Sequence, residues 1–127
     1  MNKEERKQRK KDLVNEILLM TKRIVLGDAG DSTGKSVNLH LPDDVKVEYK
    51  ILFKSTLQRI EISPFGSVHL WGVRTNESNS RLQSFDFLSD MDNLKDMQKI
   101  YNALSKLYSE REKYNMVSSI FMSKKGK

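Results

Sequence analysis

The sequence of 127 residues predicts an α+β fold: an antiparallel β-meander of four to five strands, with a long N-terminal helix and a C-terminal helix packed on the sheet. Three observations predict it. Residues 45–73 alternate polar and apolar side chains around a Pro-Gly turn, apolar residues before them recur at spacings of three and four, and the same helical spacing returns after residue 90. The length suits a single domain, 1–127. The chain has no Cys, which excludes disulfides, thiolate metal sites and a Cys nucleophile, and leaves stability to packing.

The first helix is read over residues 3–26. Leu13, Ile17, Met20 and Ile24 form its apolar stripe, widened by Val14, Leu18 and Val25. Residues 1–12 carry no apolar side chain after Met1, so they are expected to project beyond the packed part as a basic helical extension. Gly27 ends the helix, and residues 27–36 read as a flexible polar loop.

That loop contains Ala29, Gly34, Lys35 and Ser36 at the spacing of a relaxed phosphate loop. Such a loop works only between a strand and a helix, where backbone N–H groups and the helix N-terminus converge on the phosphates. Here an amphipathic helix precedes it and the strand-like run 37–41, ending at Pro42, follows. The match is therefore read as chance.

The meander is placed at residues 37–88. Val45, Val47, Tyr49, Ile51 and Phe53 occupy one side of a long strand, with Lys46, Glu48, Lys50 and Lys54 on the other. A five-residue turn, Ser63-Pro64-Phe65-Gly66-Ser67, joins the next two strands. Simple register across it sets Ile62 against Val68 and Ile60 against Leu70 on a core face. The other face then holds Arg59 beside Trp71 and Glu61 beside His69, with Leu57 near Val73. Residues 81–88 make a last strand with Phe85 and Phe87 on one side. Residues 89–92 offer capping side chains for a helix over 90–115, whose stripe is Leu94, Met97, Tyr101, Leu104 and Tyr108. Residues 116–127 are a tail with a short apolar run.

The net charge is +6 and lies at the ends. Residues 1–12 hold six basic residues against three acids, and Lys124, Lys125 and Lys127 add three more, so residues 13–123 carry fourteen of each sign. Basic tails of this kind suit attachment to nucleic acid or an acidic partner.

Nothing else in the sequence suggests catalysis. No nucleophile, base and orienter stand together, so an enzyme is not expected. His40 and His69 fall on separate strands without a clustered acid, and Asp90, Asp92 and Asp96 lack the Gly a calcium loop needs, so neither a metal nor a cofactor is expected. The sequon Asn76-Glu77-Ser78 follows no secretion signal. With no apolar segment of membrane-spanning length, the chain is read as cytoplasmic.

The expected function is a small binding or regulatory protein that associates with nucleic acid or a nucleoprotein complex. The tails supply Arg9, Lys10 and Lys11, and the sheet supplies Trp71 and His69 beside Arg59, ringed by Lys46, Lys50 and Lys54 as a stacking platform for a single strand. The alternative is a protein-interaction or inhibitor module, such as a homodimer built on the Leu13 to Ile24 stripe. A nucleotide-binding enzyme using residues 29–36 comes last.

Overall fold

A computed structural model describes residues 2–27, 34–77 and 81–125, with side chains to Arg111. It is an α+β fold: α1 (Lys3–Leu26), β1 (Val37–His40), β2 (Glu48–Lys50), β3 (Lys54–Ile62), β4 (Val68–Arg74), β5 (Gln83–Asp86), a single turn α2 (Phe87–Asp90), and α3 (Leu94–Lys125).

Helix α1 begins where the Asn2 side chain accepts from the Glu5 N–H at 2.8 Å and donates back to its carboxylate at 3.1 Å, a reciprocal cap. It ends at Gly27, whose φ of +79° places it in the left-handed region and whose N–H returns to the Arg23 carbonyl. Arg111 of α3 also donates to the Ile24 carbonyl at 3.2 Å, satisfying a second acceptor at that end.

The sheet order is β1-β3-β4-β5, with β2 also on β3. All pairings are antiparallel. Strands β1 and β2 share one side of the long β3: residues 37–40 pair with 59–62, and 48–50 with 54–56. The long alternating strand expected from residue 45 is thus cut to three paired residues. Val47 and Tyr49 are buried as the alternation requires, while residues 51–53 turn the chain back.

Across the hairpin, Ile62 faces Val68, Glu61 faces His69, Ile60 faces Leu70 and Arg59 faces Trp71, as the simple register predicts. The Ser63 side chain accepts from the Ser67 N–H, and Gly66 supplies a φ of +88°. The prediction for Leu57 fails. A bulge at Gln58 lets Leu57 pair with Gly72 instead of lying near Val73, and that extra residue turns Leu57 from the outer face into the core.

Strand β5 stops at Asp86. Phe87 opens the turn α2 and is fully buried; it does not continue a strand beside Phe85. Asp86 caps α2 by accepting from the Ser89 N–H at 2.9 Å, which holds its carboxyl below the usual range. Helix α3 starts at Leu94, with Asn93 accepting from the Lys95 and Asp96 N–H groups, and not at Asp90. Its backbone continues through residues 116–125, so most of the expected tail is helical.

Helices α1 and α3 lie side by side on the inner face of the sheet. Leu13, Ile17 and Ile24 meet Met97, Ile100, Leu104 and Leu107 over Val37, Leu39, Leu57, Ile60, Ile62, Val68 and Leu70 in one buried cluster. The α1 stripe is therefore consumed within the monomer. A homodimer built on Leu13 to Ile24 would have to open this core.

Tyr49 is the least comfortable member of the core. Its hydroxyl is buried without a hydrogen-bond partner, and burial pushes its pKa up to about 12 from 10.0. The unfolded chain therefore loses this proton first as pH rises above 10. The contribution of Tyr49 to stability is complete below pH 10 and falls away toward pH 12, by up to about 2–3 kcal/mol. Chemical denaturation across this range should show Tyr49→Phe losing less stability with pH than the parent, and at neutral pH being at least as stable because no buried hydroxyl is left unpaired. Equal alkaline slopes in the two proteins would contradict this.

Candidate nucleic-acid interface

Two surfaces hold the residues that the sequence singles out. The first is the outer face of the sheet. Cross-strand pairing assembles two rows on it: Asn38, Glu61, His69 and Asp86, then His40, Arg59, Trp71 and Ser84. Arg59 is steered by Asn38, whose side-chain oxygen accepts from it at 2.7 Å, and its guanidinium lies 4.5 Å from the Trp71 ring centroid. The indole N–H donates to Glu61 at 2.9 Å.

Trp71 is thus half-buried, with one ring face under a cation and its only donor used. The neighbouring strand of this row is β1, so the cations expected around Trp71 lie elsewhere. Lys54 pairs with Glu48 at 3.3 Å, and with Lys50 it lines a cavity of about 420 Å³ shared with Asn93, Asp96 and Lys99 of the α3 start. The β2 backbone is tied to that helix, since the Lys50 N–H donates to the buried Asp96 carboxylate at 2.9 Å. Lys46 is exposed on the turn before β2, in a cleft with Lys106 and Glu110. Around Trp71 the formal charges are Arg59 against Glu61 and Asp86. One cation against two carboxylates leaves a net negative charge, which does not attract a polyanion.

The second surface is the N-terminal half of α1, and it does not project freely. Arg6 donates to the Asp92 carbonyl at 3.3 Å, Arg9 to the Gln98 side chain at 3.0 Å, and Lys10 to the Asp92 carboxylate at 2.9 Å. Arg9 and Lys10 are half-buried by these contacts, while Lys11 stays exposed. Lys3, Arg6, Lys7 and Lys10 line a cleft of about 320 Å³ with Asp92 and Leu94. Lys10 and Arg6 together hold the Asp92 carboxyl below its ordinary range, the Lys10 hydrogen bond being the largest cause.

Lys3, Lys7 and Lys11 recur every fourth residue, about 6 Å apart along the helix and on one side of it. All three are exposed, and none makes an ion pair among the described residues. In the sequence reading Lys11 is a site residue, while Lys3, Arg6 and Lys7 count only among the basic residues of the tail, not as part of a row on one side of the helix. Their i, i+4 spacing was the available signal; the approach of Asp92 had none.

Of the phosphate-loop match, Gly34, Lys35 and Ser36 lie on the described chain, while residues 28–33, including Ala29, lie outside it. Helix α1 leads in and β1 leads out, reversing the order that phosphate cradling requires. The sequon likewise ends at Ser78, outside the described residues. Among the described residues no group of three or more His, Asp or Glu is placed to hold a metal, and no helix is long and apolar enough to cross a membrane.

No protein-family model matches the chain, and no curated protein or solved structure is significantly similar to it.

Proposed function

We propose that this is a non-catalytic binding protein that attaches to the phosphate backbone of nucleic acid through the basic N-terminal half of α1. The observation that carries this reading is the exposed, unpaired row Lys3, Lys7 and Lys11 beside the cleft of Arg6 and Lys10. Cations without internal partners release counterions when a polyanion docks, and backbone contact of this kind is insensitive to base sequence. The outer sheet face is secondary here, because Arg59 already covers Trp71 and the surrounding charge is net negative.

The test is Lys3→Gln/Lys7→Gln/Lys11→Gln against the parent, titrating a labelled mixed-sequence oligonucleotide at several salt concentrations. Affinity should fall, and the log–log salt slope should flatten by roughly 2–3, since each lost phosphate contact removes about 0.7–0.9. Trp71→Ala, its folding checked by circular dichroism, should leave the slope unchanged. An intact protein without salt-sensitive binding would refute the proposal. The protein-interaction reading would then start from Phe65, which is 96% exposed at the β3–β4 turn.

A further inference from the structure

We propose that the Asp92 carboxylate stands where a phosphate binds, so that nucleic acid is taken up by displacing Asp92 from Lys10. This rests on the reading that α1 is the phosphate-binding surface, and it adds an internal competitor to that site.

The geometry is asymmetric in the way displacement needs. The Lys10 side chain is 16% exposed and fixed along the helix interface, whereas the Asp92 side chain is 91% exposed at the mouth of the cleft. An acid so exposed gives up little when it returns to water. Arg6 holds the Asp92 main chain through its carbonyl, so the turn before α3 stays anchored when the carboxylate leaves. Lys3 and Lys7 line the same cleft without a carboxylate partner of their own. An incoming phosphate would therefore meet Lys3 and Lys7 first and exchange with Asp92 at Lys10. Until that exchange, Asp92 lowers the affinity of the resting protein for polyanions.

Asp92→Asn keeps the shape of the side chain and removes the competing charge. Glu16→Gln is the control, being an exposed acid on α1 and away from the cleft. Both would be titrated with a fluorescein-labelled mixed-sequence DNA oligonucleotide across a salt series, with thermal unfolding recorded for each. Asp92→Asn should bind more tightly than the parent, by up to about 5-fold for one exposed ion pair no longer broken, with an unchanged slope because Lys10 meets a phosphate in both proteins. Glu16→Gln should match the parent in affinity and slope.

In a Lys10→Gln background the Asp92→Asn change should lose its effect, a dependence that a merely structural role for Asp92 would not produce. Equal affinities for Asp92→Asn and Glu16→Gln, with the parent still binding, would overturn the competitor alone. Absence of salt-sensitive binding in the parent would overturn the phosphate-binding reading and this inference with it.

Discussion

Ile60→Ala should lower the free energy of unfolding by about 2–5 kcal/mol, measured by chemical denaturation. Ile60 is fully buried near the C-terminal end of β3, between Leu39 of β1 and Leu70 of β4, and beneath the helices. Strands on both sides and helices above leave few atoms able to collapse into the space left by three lost carbons, so the cost should approach the upper half of that range. An unchanged midpoint would mean that the inner face of the sheet is wrongly identified, and with it the outer face that carries Trp71.

Gly72→Ala is the second large effect, and its origin is space. A Cβ at this position would overlap the Tyr49 hydroxyl and lie 2.8 Å from the Thr56 carbonyl oxygen. Neither neighbour can yield easily, because the Tyr49 ring is buried and Thr56 belongs to the paired backbone of β3. The expected loss is about 1–3 kcal/mol. Tyr49→Phe removes one of the two obstructions, so the double variant should be more stable than the sum of the single changes predicts. Strict additivity would show that the Thr56 backbone alone resists the methyl group.

These two positions also mark where the sequence is informative and where it is not. The apolar pattern of Ile60, Ile62, Val68 and Leu70 around a Pro-Gly turn fixes a hairpin register, because a one-residue slip would expose every one of them. The same register brings Arg59 to Trp71 and Glu61 to His69. Gln58 carries no local signal that it is an extra residue, so the extrapolation past it put Leu57 on the wrong face. Gly72 reads only as a small residue in a strand until Tyr49 arrives from β2.

For the candidate site the limit is distance along the chain. Lys3, Lys7 and Lys11 can be seen as a row from their spacing alone. Arg6 and Lys10, however, meet Asp92 across 86 and 82 residues, and no periodicity reports such an encounter. The charged first turns of α1 therefore looked like a free extension. In the structure, Arg6, Arg9 and Lys10 fasten them to the start of α3 and the turn before it.

The contacts between α1 and α3 advance together along both helices: Arg9 meets Gln98, and Ile24 meets Arg111. The two helices consequently run parallel, with the whole sheet inserted between them in the chain. On the ribosome, α1 emerges before the sheet and α3, and its Ile17 side finds its helical neighbour only after nearly ninety further residues have been added. At about 5–20 residues per second that is a wait of seconds, during which a nascent chain displays an apolar stripe. Such a stripe is what a chaperone recognises, and release from the ribosome before α3 is complete would leave it permanently uncovered.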